Sequence, residues 1–323
     1  YIVGDNGYMI KSTNGGSSWS SPSKFTANGF VQGLWGDASG KIIATGLNSP
    51  TQVMVSDNYG ASFTAVALSV SAADLRGIKM FDAQNGYAVG NSGRIWKTTD
   101  GGYTWALYTG TTTTQAFNDV SFINPQYGMV AGNAGQLWKT TDGGTTWAAM
   151  ASIGTTVGQN GIAMADSLTA LTVGGLVVNR TTDGGATWTA ITPGFPVSPG
   201  SKVRMYNATT GYIIGGTSAS NAGYVFKTTD AGLTWTNMNF PYTTTMLYNM
   251  DFRSADDFVI TGNSGGVFHT TNGGTSWRQY NVGLFTILNA QVIGCKIISG
   301  DTLIVGASGG SIIKIELPSI VPV

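Results

Sequence analysis

Short runs of alternating apolar and polar residues follow one another along most of this 323-residue chain, and Gly and Asn separate the runs. Residues 117–150 show the pattern best, with runs at 117–123, 128–132, 136–141 and 145–150. Alternation over about four to eight residues between turn residues predicts antiparallel strands. No segment has a sustained apolar spacing of about 3.6 residues, so we predict an all-β chain with negligible helix.

A nine-residue phrase recurs through the chain at a nearly constant interval. Residues 97–105 read Lys-Thr-Thr-Asp-Gly-Gly-Tyr-Thr-Trp, and similar copies occupy 11–19, 139–147, 180–188, 227–235 and 269–277, with a weaker copy at 56–63. The central residue of the copies, at intervals of 41 to 47 residues, is Asn14, Asp57, Asp100, Asp142, Asp183, Asp230 and Asn272. Four strands in each period of about 40 residues are typical of a β-propeller blade.

Each part of this phrase has a structural explanation. The Asp or Asn side chain can hydrogen-bond nearby backbone N–H groups and close a tight turn, and the Gly two positions later tolerates a positive φ. An aromatic residue ends each copy, and we predict that it is buried because its ring removes a large apolar area from water. These aromatic residues are Trp19, Phe63, Trp105, Trp147, Trp188, Trp235 and Trp277. We therefore assign the phrase a structural role.

The repeats divide the chain at about 1–27, 28–70, 71–112, 113–153, 154–194, 195–241, 242–285 and 286–317, and we interpret 318–323 as the start of a linker to a further C-terminal region. Six complete four-strand periods lie between three strand-like runs at the head and three at the tail. If head and tail each form a blade, the single propeller has eight blades, which is the count that we favour. If they share one blade, the alternative count is seven.

The phrase Ser/Thr-x-Asp-x-Gly-x-x-Trp/Phe, matched at 98–105, 140–147, 181–188 and, with Asn for Asp, at 270–277, resembles the Asp box of sialidase-type repeat propellers. The longer phrase at 86–102 resembles the repeat of photosystem II assembly and stability factor propellers, and equally that of secreted repeat proteins of the Bacteroidetes type. These resemblances cover nearly the whole chain and imply a propeller fold. The photosystem relatives imply an assembly role, and the sialidases imply an Arg triad, a Tyr and Glu pair and an Asp acid.

The charged residues are few and balanced. Only 10% of the chain is charged, the formal net charge is zero and no basic stripe is present, which argues against a nucleic-acid partner. No apolar run reaches 18 residues, so we predict no transmembrane segment. The single Cys295 excludes an internal disulfide and a cysteine zinc site, and we predict that it lies in the core. The Gly-rich turns lack the features of a phosphate loop. Together with the missing cysteine zinc site, this leads us to predict no cofactor and no metal.

The acidic residues give little support to a glycosidase site. Glu316 is the only Glu of the sequence, so the Tyr and Glu pair that the sialidase resemblance implies cannot be assembled. Asp119 and Asp251 begin inner strands and are the candidates for a two-carboxylate glycosidase, but we favour their interpretation as strand-end caps that pair with Arg253 or a neighbouring amide. His269 replaces a Lys of the phrase, and we predict that it is an exposed strand residue. We predict no enzymatic activity.

One face of the predicted propeller carries the candidate ligand site. The loops from the second to the third strand and from each blade to the next share that face, and loops on a rigid scaffold often carry function. Aligning the inner strands on their first apolar residue places a polar ring two positions earlier, consisting of Gln32, Arg76, Asn118, Asn160, Ser201 and Tyr248. The loops between blades add Tyr108, Phe240 and Tyr242. Such a surface suits a protein or a neutral glycan; alternatively, the ring binds only water and the aromatics seal neighbouring blades.

The composition also bears on location and role. Abundant Thr, Gly, Asn and Ser with scarce Lys and Glu suit a protein outside the cell. We predict a non-catalytic, exported bacterial propeller, secreted or at the cell surface, which serves as a protein-interaction or scaffold module. The alternatives are a carbohydrate-binding propeller, a glycoside hydrolase and a photosystem-type assembly factor.

Overall fold

A computed structural model describes residues 2–4, 8–10, 30–47, 52–70, 74–195, 200–217, 222–242, 246–281, 291–299, 301–308 and 312–317 of the chain. Within these ranges the chain forms strands β1 to β29 and two three-residue 3-10 turns, and it contains no α-helix. Asn14, Trp19 and the predicted linker 318–323 lie outside the described residues.

The first three blades are four-stranded antiparallel sheets whose strands follow chain order from the inside of the ring to the outside. Blade 1 contains β3 (Phe30–Gly36), β4 (Ile42–Leu47), β5 (Gln52–Ser56) and β6 (Thr64–Ala67). Blade 2 contains β7 (Leu75–Met80), β8 (Gly86–Gly90), β9 (Ile95–Thr98) and β10 (Ala106–Tyr108). Blade 3 contains β11 (Phe117–Phe122), β12 (Gly128–Gly132), β13 (Leu137–Thr140) and β14 (Ala148–Ala149).

The later blades repeat this order, and three strands of the last blade are described. Blade 4 contains β15 (Gly161–Met164), β16 (Ala170–Gly174), β17 (Val177–Thr181) and β18 (Thr189–Ile191). Blade 5 contains β19 (Gly200–Met205), β20 (Gly211–Thr217), β21 (Ala222–Thr228) and β22 (Thr236–Asn237). Blade 6 contains β23 (Leu247–Phe252), β24 (Phe258–Gly262), β25 (Gly266–Thr270) and β26 (Arg278–Asn281). Blade 7 contains β27 (Val292–Ser299), β28 (Thr302–Ala307) and β29 (Ile312–Glu316).

The ring closes between blade 7 and blade 1. Val31 and Leu34 of blade 1 share a buried apolar cluster with Ile298 and Ile304 of blade 7. Because these two blades pack directly against each other, the ring has seven blades. The predicted all-β propeller fold is therefore confirmed with the alternative count of seven, and the favoured count of eight is not observed. At the head, β1 (Ile2–Gly4) and β2 (Tyr8–Ile10) pair with each other as a separate two-stranded ladder.

The hydrophobic core lies between the blades rather than within one central mass. Seven clusters of buried apolar residues occupy the seven blade interfaces. At the interface of blades 1 and 2, for example, Ile43 and Val55 pack against Leu75, Trp96 and Trp105. Every sheet is thus apolar on both faces, which explains why the middle strands are continuously buried instead of alternating.

The turn between the third and fourth strand, here called the repeat turn, is built from hydrogen bonds within the repeated phrase. In blade 4 Asp183 Oδ1 accepts hydrogen bonds from the Thr181 hydroxyl at 2.7 Å and from the Thr187 amide at 2.9 Å. The Thr181 Oγ in turn accepts from the Gly185 amide at 2.9 Å. Gly184 and Gly185 have φ values of 68° and 86°, which L side chains rarely adopt. Equivalent bonds form around Asp100, Asp142, Asp230 and Asn272.

The first described repeat turn corrects the sequence alignment. In blade 1 Asn58, not Asp57, accepts the bonds from the Ser56 hydroxyl and the Ser62 amide, each at 2.9 Å. Asn58 also has the spacing to Phe63 that the other copies have between their central residue and the Trp. Asp57 pairs instead with Lys41 at 2.9 Å. The sequence alignment places the acidic Asp57 at the centre of the turn. In the structure the centre is the residue that lies five positions before the aromatic residue.

In blades 2, 3 and 4 the basic residue before the repeat turn links its blade to the next one by donating a hydrogen bond to a backbone carbonyl of the following repeat turn. These contacts are Lys97 Nζ to the Gly143 oxygen at 3.0 Å, Lys139 Nζ to the Gly184 oxygen at 2.9 Å and Arg180 Nε to the Ala231 oxygen at 2.8 Å. His269 departs from this pattern and from its predicted exposure, because it is buried with its Nε2 2.8 Å from Asp257 Oδ1.

The aromatic residue of the repeat turn should contribute strongly to stability. Trp105 is 8% exposed, packs against blade 1 and donates from Nε1 to the Gly102 carbonyl at 2.9 Å. We expect Trp105→Ala to lower the free energy of unfolding by about 3–5 kcal/mol, measured by urea denaturation. Trp105→Phe keeps most of the packing and should cost clearly less. Equal losses of unfolding free energy for the two variants would contradict the conclusion that the aromatic ring stabilises the fold by packing between blades 1 and 2.

The acidic residue of the repeat turn should make stability depend on pH. Hydrogen bonds from Thr187 and Thr181 lower the pKa of Asp183 from 3.8 to about 2. Because the folded-state pKa lies below the unfolded one, the ionised turn stabilises the fold above about pH 4, and this contribution disappears as the pH falls toward about 2. We expect Asp183→Asn, which copies the turn at Asn272, to reduce the loss of thermal midpoint between pH 5 and pH 2. An unchanged loss would contradict this assignment.

Candidate functional site

A β-bulge in the inner strand of six blades turns one side chain toward the mouth of the central channel. The strand register skips one residue in β3, β7, β11, β19, β23 and β27. The skipped residues are Gln32, Arg76, Asn118, Ser201, Tyr248 and Ile293. In blade 4 the equivalent Asn160 directly precedes β15. A bulge re-aims a side chain, so these positions project where a regular strand would not.

The six residues of the predicted polar ring come together around one cavity. This mouth cavity has a volume of about 240 Å³ and is lined by Gln32, Arg76, Asn118, Asn160, Ser201, Tyr248, Lys202, Met246 and Ile293. The ring is therefore a real feature of the fold, while its binding of a ligand stays a prediction. Met246 and Ile293 add an apolar side that the sequence alignment missed.

Amide side chains in the turns between the second and third strands hold three of the ring residues. Arg76 Nε donates to Asn91 Oδ1 at 3.1 Å, and Asn118 Nδ2 donates to an equivalent Asn at 2.9 Å. The Tyr248 hydroxyl donates to a third Asn at 2.6 Å. These three partners are Asn91, Asn133 and Asn263. Each follows a Gly and stands two residues before another, and this recurring Gly-Asn-x-Gly is the sequence signal that could have identified them.

Other bonds of the ring connect neighbouring blades. Arg76 Nη1 donates to Asn118 Oδ1 at 3.0 Å, and Asn118 Nδ2 also donates to the Gln159 carbonyl at 3.0 Å. Asn160 Nδ2 donates to the Gly200 carbonyl at 3.0 Å. The mouth is therefore held rigid from blade 2 to blade 5. Within the described chain, the buried Ser201 Oγ has no hydrogen-bond partner and is the unsatisfied polar atom of the mouth.

The three loop aromatics predicted at this face lie in the blade interfaces instead. The Tyr108 hydroxyl accepts a hydrogen bond from the Trp147 amide at 3.2 Å. Phe240 is buried, with its ring centroid 5.1 Å from that of Phe268, and Tyr242 lies 4.7 Å from the same ring. The expectation that these residues form part of the ligand face is corrected: the alternative, that the aromatics seal neighbouring blades, describes their positions.

The channel continues below the mouth as a cavity of about 410 Å³ between the inner strands. Five basic residues line it, namely Arg76, Lys79, Lys202, Arg204 and Lys296. Two acidic residues, Asp119 and Asp251, line it as well. Except for Arg76 and for Lys296 of blade 7, which the alignment did not include, these residues lie one position before or after the apolar residue used to align the inner strands. The sequence alignment could have identified them if those neighbouring positions had been compared across blades.

Asp119 is the most enclosed charge in the channel. Its side chain is 2% exposed and accepts a bidentate pair of bonds from Arg204, at 2.6 Å and 3.2 Å, and lies 3.1 Å from Lys202 Nζ. The Ile162 amide of blade 4 donates to Asp119 Oδ2 at 3.0 Å. Burial alone would raise the pKa of Asp119, but the charges of Arg204 and Lys202 and these hydrogen bonds outweigh it, so the pKa lies below its ordinary value.

Asp251 repeats this arrangement between blades 6 and 7. It accepts from Lys296 Nζ at 3.0 Å and from the Ile297 amide at 2.7 Å. Asp119 and Asp251 thus pair with a neighbouring amide, as the favoured interpretation predicted, but neither is paired with Arg253, which contacts Asp257 at 3.2 Å. A glycosidase acid needs a raised pKa, and that of Asp119 is lowered. The geometry is that of structural ion pairs.

The remaining chemical candidates give no further site. Burial raises the pKa of the Cys295 thiol, which lies 4% exposed in the interface of blades 6 and 7. Among the residues described, no group of three or more His, Cys, Asp or Glu side chains is placed to hold a metal ion. In the same part of the chain no helix has the length and apolar character needed to cross a membrane.

The seven radial sheets around a channel with a bulge-lined mouth define the chain as a seven-bladed β-propeller with its candidate site at one end of the central channel. A family model described as photosynthesis system II assembly factor YCF48 matches residues 55–194 and 108–239, which together span more than half of the sequence. The chain therefore belongs to the YCF48-like family of propellers. A search of curated proteins gives no match.

Solved structures of similar shape include two proteins of that name. A structure of YCF48 bound to D1 peptide has a TM-score of 0.71 at 13% identity and covers 98% of this chain and 97% of its own. YCF48 from Cyanidioschyzon merolae has a TM-score of 0.69 at 12% identity, and the match covers 90% of this chain and 96% of that protein. Virginiamycin B lyase from Staphylococcus aureus has a TM-score of 0.73 at 15% identity, and the match covers 89% of this chain and 94% of the lyase. At these identities the likeness shows the fold alone.

The two channel carboxylates should differ in their effect on stability. Asp119→Asn leaves Lys202 and Arg204 without their buried counterion, and we expect a loss of about 3 kcal/mol in the free energy of unfolding. Asp251 and Lys296 are more exposed, at 21% and 28%, so Asp251→Asn should cost about 1 kcal/mol or less. Urea denaturation of both variants tests this order. A larger loss for Asp251→Asn would contradict the assigned role of Asp119.

Proposed function

We propose that this protein is a non-catalytic propeller that binds a segment of another protein at the mouth cavity. The observation that carries the proposal is the convergence of seven bulged or strand-leading residues, one from each blade, on one cavity of about 240 Å³. Membership in a family described as an assembly factor supports a role in bringing other proteins together. The YCF48 structure that is titled as bound to D1 peptide supports a peptide as the kind of partner.

The chemistry of the mouth supports a protein segment more than a glycan. Amide, hydroxyl and guanidinium groups stand beside the apolar Met246 and Ile293, and this mixture suits a peptide whose backbone is polar and whose side chains are partly apolar. A glycan site usually presents aromatic platforms, but Phe240 and Tyr242 pack in the core between blades. Tyr248 alone among the proposed aromatics lines the mouth.

The proposal includes the absence of catalysis and a location outside the cell. The channel carboxylates are neutralised by Lys and Arg, which supports a structural role for them. The proposed location, secreted or at the cell surface, is supported by composition alone. The assembly role that the family description suggests is compatible with the same mouth, and it would make the partner a subunit of a larger complex.

Photo-crosslinking at the mouth tests this proposal. A photoreactive phenylalanine analogue replaces Gln32 in one variant and Leu168 in a matched control, which lies in an exposed turn beside the repeat turn of the opposite face. After irradiation in an extract of the source cells, we expect a discrete protein adduct from position 32 that Tyr248→Ala reduces at least about threefold. Mass spectrometry then identifies the crosslinked peptide.

The two positions separate the possible outcomes. An adduct that forms at 168 and not at 32 would move the binding surface to the opposite face and contradict the proposal. A position-32 adduct that Tyr248→Ala leaves unchanged would show contact without recognition by the mouth, and would also contradict it. Circular dichroism of each variant confirms that the fold is retained.

A further inference from the structure

Positive charge is concentrated in the channel although the chain as a whole is neutral. The sequence has 16 basic and 16 acidic residues. Of these, five basic and two acidic residues line the channel cavity. A cleft lined mainly by one sign of charge attracts ions of the opposite sign, because its low-dielectric walls focus the field.

The two carboxylates of the channel leave this excess in place. Asp119 is already engaged by two cations, Lys202 and Arg204, and is almost inaccessible. Asp251 pairs with Lys296 alone. In the described part of the chain, Lys79 forms no ion pair with a carboxylate. The net charge of the residues that line the cavity is therefore positive after all ion pairs are counted.

Lys79 stands where an anion would be most stabilised. It projects from β7 and is exposed to the channel, while Arg204 and Lys296 project from β19 and β27 into the same cavity. The enclosing protein, followed by the positive charges of Lys296 and Arg204, lowers the pKa of Lys79. Cations that face one another across a confined space repel each other until an anion lies between them.

We propose that the central channel binds a small oxyanion with two or more negative charges, held between Lys79, Arg204 and Lys296. The cavity of about 410 Å³ is within the usual range for small-molecule pockets. The ammonium groups of Lys79 and Lys296 act as point charges that suit phosphate or carboxylate oxygens, and the Arg204 guanidinium, whose two Nη atoms both bond Asp119, adds its positive charge beside them. This site does not depend on a protein partner and uses residues below the mouth.

Isothermal titration of the full chain with inorganic phosphate and with citrate tests the site, at an ionic strength fixed by NaCl. We expect saturable binding of at least one of the two anions. Lys79→Gln should weaken it at least about tenfold, since it removes a charged hydrogen-bond donor. Lys314→Gln is the matched control, because Lys314 is an exposed lysine of blade 7 outside the channel lining. It should change the affinity less than about twofold.

The two probes identify the class of anion. Binding of phosphate but not citrate indicates a phosphoryl ligand, and binding of citrate but not phosphate indicates a polycarboxylate. Binding of both indicates a site that selects its ligand by charge. Absence of binding by either, or an equal loss in Lys79→Gln and Lys314→Gln, would overturn the proposal. A second measurement uses only the wild-type chain, so it does not depend on the folding of a variant. The bound anion should raise the thermal midpoint of unfolding, whereas NaCl of equal ionic strength should not. Equal shifts of the midpoint would overturn the proposal.

Discussion

Packing of each blade face on the next is the interaction on which the rest of this structure depends. A sheet that is apolar on both faces is stable only if both faces are covered, and a closed ring covers all of them without a terminal sheet. The repeat turns strengthen these interfaces twice. The Trp of a repeat turn fills the interface with the preceding blade. In blades 2, 3 and 4 the basic residue before the turn donates a hydrogen bond to a carbonyl in the repeat turn of the following blade.

Ring closure also explains the charges of the channel. The inner strand of each blade has an unpaired edge toward the axis, and its N–H groups need acceptors. Side chains of the preceding blade supply them: Asp119 for Ile162, Ser121 for Met164 and Asp251 for Ile297. A buried carboxylate in turn requires cations, and the channel provides more of them than the two carboxylates neutralise. The charged residues of the channel are therefore explained by the need of the inner-strand N–H groups for hydrogen-bond acceptors.

The repeat period, the strands and the position of the polar ring could be predicted from the sequence, because they are encoded locally in each copy. The blade count could not, since it depends on whether β27 packs beside β3 at the end of the ring. The ion pair of Asp119 and Arg204 joins residues 85 positions apart and has no local signal. The role of Asn58 in place of Asp57 does have a local signal, because only Asn58 has the five-residue spacing to the aromatic residue that the other copies show.

The mouth and the channel are not independent binding surfaces. Gln32, Arg76 and Lys202 line both cavities. The bonds that fix Arg76 and Asn118 make the mouth rigid before any partner arrives, so a bound segment loses little of its binding energy to ordering the protein. An anion held below would reduce the positive potential at that mouth. By thermodynamic linkage, any effect of the anion on the affinity for a protein segment is matched by an equal effect of the segment on the affinity for the anion. The sign of that coupling follows the charge of the segment: an acidic segment would compete with the anion for the same cations, and a basic one would bind better above it.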